Sequence, residues 1–169
     1  MSGVQTNIKA KAHVYGDHID TDRIIPGKYT KTLDLSTLTN HVLEDLDPNF
    51  NKIVQQGDIL VAGINFGCGS SREQAPLSLK QAGVSVVVAR DFARIFFRNA
   101  INIGLPVLEI ADHNIQKGAE LDIDLKAGIV KDLTANVTYT ATKLPDIMIA
   151  ILSEGGLVNY LTKHGDYSL

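Results

Sequence analysis

The chain carries one cysteine, Cys68, and no tryptophan in 169 residues. A single thiol excludes an intramolecular disulfide. It cannot furnish a four-ligand zinc site, nor hold an iron–sulfur cluster, which takes several thiolates. His13, His18, His41, His113 and His164 show no His-x-x-x-His spacing, and no Cys-x-x-Cys exists, so each histidine reads as packed or surface rather than as a ligand. Charge of either sign is not concentrated: 16 Lys and Arg face 19 Asp and Glu, for a net charge of −3, which argues against a nucleic-acid partner. Long hydrophobic runs are missing too. The longest, around Val84 to Ala89, is about six residues, far short of a membrane span. Met1 to Gln5 has no apolar signal core, and with the lone thiol this gives the expectation of a cytoplasmic protein. No repeat, low-complexity tract or Pro/Ser-rich linker divides the chain, so one domain over 1–169 is expected.

What is present is an apolar fraction of 44%, enough for a real core, and one conspicuous stretch, Gly63-Ile64-Asn65-Phe66-Gly67-Cys68-Gly69-Ser70-Ser71-Arg72-Glu73. Before it, Asp58 to Ala62 reads as a buried strand; after it, Gln74 to Ala82 reads as a helix stopped by Gly83. Glycines between them allow a sharp turn and a close backbone approach to a ligand. Ser70 and Glu73 have the spacing of a capping box, which would make Ser70 an N-cap and aim the first helical amides into the loop. A helix start attracts anions, and the fork of Arg72 fits a carboxylate. Walker A and Gly-x-Gly-x-x-Gly patterns are both absent. From these residues alone, an anion-binding loop and an ordinary glycine-rich α/β turn both stand.

Along the chain, Asn7 to Tyr15 alternates as a first strand. Asp17, Asp20 and Asp22 crowd one polar loop, readable as a metal site or as a solvated turn with Asx bonds. Ile24 to Gly27 reads as a strand end and turn. Asp34 to Leu46 has helical spacing through Leu35, Leu38, Val42 and Leu46, ended by Pro48. Val84 to Ala89 reads as a buried parallel strand and Asp91 to Asn102 as a helix with Asp91 as N-cap. On that helix Arg94 and Arg98 share a face, either solvated or functional. Leu105 to Ile110 is a strand that Pro106 places at a sheet edge or at the start of a ladder. Leu121 to Leu125, the strand from Ile129, and Asn136 to Thr140 read as antiparallel β, followed by helices from Asp146 to Leu152 and Leu157 to Lys163. The chain is equipped to bind an acidic substrate and offer a hydroxyl, but not to hold an electrophile, which points to a partner chain.

Gly67 to Glu73, Ala75-Pro76, the run Phe92 to Pro106, the loop Asp20-Thr21-Asp22-Arg23-Ile24-Ile25-Pro26 and the close Glu154 to Asp166 resemble the small subunits of 3-isopropylmalate dehydratase and homoaconitase. The resemblance implies an α/β fold, the swivelling β/β/α domain that forms the C-terminal domain of aconitase. It implies a large-subunit partner carrying a [4Fe–4S] cluster, with none bound by this chain, and a di- or tricarboxylate substrate. It gives Ser70 the role of base for the Cα proton and Arg72 that of holding a carboxylate. Ser71 and Gly69 support them, and Asp22 with Thr21 supplies polar groups from the N-terminal loop. Tyr29 and Lys31 fall in the segment that sorts substrates in this family. Two departures stand out: Gln74 where the family usually has His, and the polar Tyr29-Thr30-Lys31-Thr32, which suits a more polar substituent than isopropyl. Isopropylmalate is expected first, with homoaconitate or a dimethylmalate-type acid as alternatives.

Overall fold

The computed structural model describes residues 5–32 and 34–165; Met1 to Val4 and Asp166 of the stretches read above lie outside them. Seven strands, β1 (Asn7–Val14), β2 (Ile59–Val61), β3 (Val86–Ala89), β4 (Val107–Glu109), β5 (Glu120–Asp124), β6 (Ile129–Asp132) and β7 (Val137–Thr140), form one sheet in the order β4-β3-β2-β1-β5-β6-β7. β1 is the pivot. Its last residues, Ala12 to Val14, pair in parallel with β2, and its first, Asn7 to Lys11, pair antiparallel with β5.

The sequence explains the two halves. β2 and β3 are buried at every position, as uninterrupted apolar strands of a parallel sheet must be. β5 alternates, with Leu121 and Ile123 fully buried and the residues between them not. α4 (Gln74–Gln81) links β2 to β3 and α5 (Arg94–Asn102) links β3 to β4. β4 is the sheet edge expected from Pro106, whose carbonyl still accepts the Val87 amide at 3.0 Å. Among the described residues no helix is long and apolar enough to cross a membrane.

Several boundaries differ from the sequence reading. The helix expected over Asp34 to Leu46 is α2 (Leu35–His41), capped by the Asp34 carboxylate accepting the Ser36 amide at 3.0 Å. The chain leaves the helix because Leu43 takes a left-handed φ of 58° and donates its N–H to the Ile24 carbonyl at 2.7 Å. Val42 and Leu43 are thereby fully buried, so long-range packing, not helix continuation, satisfies the apolar repeat. A single helical turn, α3 (Phe50–Ile53), follows. Ile24 and Ile25 are not a strand end: Thr21–Ile24 is the helical turn α1, capped by Asp20 accepting the Arg23 amide at 2.8 Å. Asp91 does not cap α5, which starts at Arg94 after Ala93; its carboxylate takes the Asn65 amide instead.

His113 ties β2 to the segment after β4. Its Nδ1 lies 3.4 Å from the Ile115 amide, which can only donate, so the proton sits on Nε2 and is given to the Ala62 carbonyl at 3.1 Å. Burial holds its pKa below the ordinary 6.5; the Arg90 charge acts the same way against the bond to Ala62. A depressed folded-state pKa means the unfolded chain takes up the proton first, so stability present above pH 6.5 is lost as pH falls below it. Thermal melts should show a decline in Tm starting near pH 6.5. The decline should be shallower in H113Q, which cannot titrate; an equal slope in both proteins would remove His113 as its source.

Candidate active site

The site is built from two loops that leave the C-terminal ends of adjacent parallel strands, where α/β sheets place their ligands. The first, after β1, runs from Gly16 through α1. The second, after β2, runs from Gly63 to Glu73. They extend the β1–β2 pairing beyond the strands: Gly63 N–H to Gly16 O at 3.0 Å, His18 N–H to Ile64 O at 2.8 Å, Gly67 N–H to Ile19 O at 2.8 Å, and Thr21 N–H to Cys68 O at 2.8 Å. Gly67 makes this possible. Its φ is +81°, and a Cβ there would lie 2.6 Å from Cδ2 of Phe96 and closer still to other atoms of that residue.

Side chains add two further links. Thr21 Oγ1 and Ser70 Oγ are 3.0 Å apart. One residue further along the first loop and two along the second, Arg72 Nη1 is ion-paired with the Asp22 carboxylate. Ser70 and Ser71 are exposed, Arg72 has 27% of its side chain exposed and Asp22 66%. The Arg72 guanidinium rests on Gly27, where a Cβ would come within 3.1 Å of Nη2. Gly69, at φ +100°, leaves its own face toward Thr21 Oγ1, 3.4 Å from where a Cβ would be. The Ser71 carbonyl is reached by Asn99 Nδ2 of α5 at 3.5 Å.

Thr21, Asp22, Gly69, Ser70, Ser71 and Arg72 are thus brought to one surface. Tyr29 and Lys31 are not tied to it directly. Tyr29 lies in a 3₁₀ turn (Gly27–Tyr29) with its ring stacked on His41, centroids 3.8 Å apart and planes within 5°. Lys31 is exposed and forms no ion pair with another described residue.

The expected capping box does not form. α4 begins at Gln74 with Glu73 at the N-cap and no side-chain cap bond, while Ser70 is engaged with Thr21. Pro76 supplies the reason. A helix starting after Ser70 would place Pro76 beyond the first turn, where it has no N–H to give and its ring meets the Arg72 carbonyl; starting at Gln74 keeps it inside the first turn. The immediate polar partner of the Ser70 hydroxyl is therefore Thr21, not the first amides of α4. Gln74 instead turns its Nε2 to the Thr30 carbonyl at 3.3 Å. Sequence reading missed Gly27 and Asn99 as neighbours of the site.

The acid loop divides its carboxylates among separate tasks: Asp17 accepts the Ile64 amide at 2.9 Å, Asp20 caps α1, and Asp22 pairs with Arg72. Among the described residues no group of three or more His, Cys, Asp or Glu could hold a metal ion. The half-buried Cys68 thiol has its pKa raised, first by burial and then by the Asp20 charge, so it keeps its proton and is a poor metal ligand. The residues of this chain do not fit an iron–sulfur cluster. The Ser70–Arg72 surface is open; the largest of the described cavities, about 440 Å³, lies at the other end of β2 and β3, beside Gln56, Lys80 and Val84.

The site is an exposed hydroxyl pair beside a guanidinium. Known proteins share this frame. The aconitase C-terminal domain family matches residues 49–113. A 3-isopropylmalate dehydratase small subunit from Caldicellulosiruptor saccharolyticus is 53% identical over 155 residues, 90% of each chain. A methanogen homoaconitase small subunit from Methanothermobacter thermautotrophicus is 51% identical over 156 residues, 92% of this chain and 91% of that one. The crystal structure of a 3-isopropylmalate dehydratase from Methanocaldococcus jannaschii superposes with a TM-score of 0.90 at 45% identity, covering 94% of this chain and 95% of the other. With more than half of its residues shared along nine-tenths of its length, the chain belongs to the 3-isopropylmalate dehydratase small-subunit family, on the fold of the aconitase C-terminal domain.

Proposed function

We propose that this chain is the small subunit of a cytoplasmic hydro-lyase that interconverts 2- and 3-isopropylmalate by dehydration and rehydration, and that a large subunit carrying a [4Fe–4S] cluster closes the site. The observation that supports this reading is the exposed Ser70–Arg72 surface, where a hydroxyl bonded to Thr21 lies two residues from a guanidinium paired with Asp22. Arg72 has five N–H donors, more than Asp22 alone can use, so a substrate carboxylate can bind beside Asp22 or displace it. That fixes the carbon next to the carboxylate near Ser70. Ser70 takes the Cα proton, and the negative charge that grows on the carboxylate is met by Arg72. Thr21 Oγ1, 3.0 Å from Ser70 Oγ, donates to the serine oxygen while it is deprotonated. Ser71 and the Gly69 backbone line the same surface. The cluster would act as a Lewis acid from the partner's side.

The exposed Lys31 and the homoaconitase relative favour a second substrate, homoaconitate, whose extra carboxylate a cation in this segment would suit. Tyr29 and Lys31 are the residues we assign to that choice. The test is anaerobic assay of the chain with its large subunit on 3-isopropylmalate, homocitrate and dimethylmalate. The highest kcat/KM is expected for 3-isopropylmalate; a higher value for homocitrate would transfer the assignment to the second reading.

A further inference from the structure

The Gly27–Thr30 turn meets Arg72 at Gly27, and three separate contacts hold it still. Thr30 closes the turn, donating its amide at 3.2 Å and its hydroxyl at 2.8 Å to the Gly27 carbonyl. Gln74 Nε2 takes the Thr30 carbonyl at 3.3 Å. The Tyr29 ring lies flat on His41 of α2, and His41 Nδ1 is 2.7 Å from Glu44 Oε2. Lys28 Nζ stands 5.2 Å from the centre of the same Tyr29 ring. Burial raises the Glu44 carboxyl, but hydrogen bonds from His41 and Tyr29 outweigh it and hold it below its ordinary value. Glu44 thus anchors the His41 ring from a segment outside the site.

What the turn supports is the guanidinium. Arg72 Nη2, Cζ and Nη1 all lie within 3.4 Å of the position a Gly27 Cβ would occupy, so the backbone of Gly27 is the surface on which the fork lies flat. Among the described residues Arg72 has one ion-pair partner, Asp22, whose side chain is 66% exposed. A long, rotamer-rich side chain held by one exposed ion pair would wander. A flat backbone rest removes that freedom.

We propose that the Gly27 turn is a built seat for the Arg72 guanidinium, and that His41 is a positioning residue that locks this seat by stacking on Tyr29. The inference rests on the carboxylate-holding role given to Arg72 above. Tyr29 acts here through the backbone of its turn, and Gln74 is the second anchor. His41 touches no substrate.

The experiment is a double-mutant cycle on the complex with the large subunit, reading kcat and KM for 3-isopropylmalate and using circular dichroism to confirm the fold. H41A should raise KM by roughly tenfold with kcat nearly unchanged, in line with the cost of displacing a positioning group. H41F keeps a flat ring over Tyr29 and should restore most of the loss. G27A, whose φ is compatible with alanine, presses a methyl against the guanidinium and should raise KM in the same way without touching His41. In the R72A background, H41A should add nothing, because the group being positioned is gone. Full additivity of H41A and R72A, or an unchanged KM in both H41A and G27A, would overturn the seat. An unchanged KM in R72A itself would instead overturn the role of Arg72, a distinct failure.

Discussion

S70A is expected to lower kcat of the assembled enzyme by about 10²–10⁴-fold while leaving the fold and KM close to those of the parent, since a positioned acid–base group is worth that much. The hydroxyl is exposed, and its side-chain partner among the described residues is the buried Thr21, so its removal costs Thr21 that bond, about 1–3 kcal/mol. A thermal melt of S70A separates that stability cost from the loss of chemistry. Thr21 sharpens the test. Its Oγ1 lies 3.0 Å from Ser70, so T21V should lose rate as well, but less than S70A, because the base is retained and only its supporting donor is gone. Steady-state kinetics with the large subunit in excess distinguishes these outcomes. An S70A complex that turns over at the parental rate would take Ser70 out of the mechanism.

The largest effect on stability is expected at Gly67. G67A forces a side-chain-bearing residue to φ +81°, at a cost of about 1–2 kcal/mol. It also drives a methyl into the Phe96 ring, itself buried and packed edge-on to Phe66 with centroids 5.1 Å apart. Overpacking of that kind adds about 1–3 kcal/mol. The total, about 2–5 kcal/mol, is a large part of the stability of an ordinary domain. G118A separates the two contributions. Gly118 has a similar φ, +83°, with nothing within 4 Å of its missing Cβ, so only the backbone cost remains. Urea unfolding of the two variants should rank G67A as the more destabilised by a clear margin. Equal losses would mean that the Phe96 contact carries no energy.

The parallel half of the sheet was legible because its signals are local. Val86 to Val88 is β-branched and the strand is apolar through Ala89, Gly83 stops α4, and a glycine-rich turn joins β2 to α4. The turn of the Gly63–Glu73 loop was legible for the same reason. What sequence reading lost was set by contacts between distant residues. Ser70 meets Thr21 across 49 positions, and nothing in the Ser-x-x-Glu spacing discloses that. Pro76 did disclose the true helix start, since its ring is tolerated only in a first turn. α2 stops early because Val42 and Leu43 are buried under Ile24, a tertiary demand that overrides the helical period. Of the expected site residues, those in the two loops meet. Tyr29 is drawn aside by His41, a pairing that leaves no trace in spacing.

The central claim is that half of the catalytic pocket resides in this polypeptide and half in another. It is tested most directly by titrating this chain into its cluster-bearing large subunit without oxygen and following the hydration–dehydration of 3-isopropylmalate. Neither protein alone should turn over substrate, activity should rise with added chain to a plateau, and S70A chain should reach the same plateau of complex with no comparable rate. Full turnover by the large subunit alone, or by this chain alone, would contradict the account.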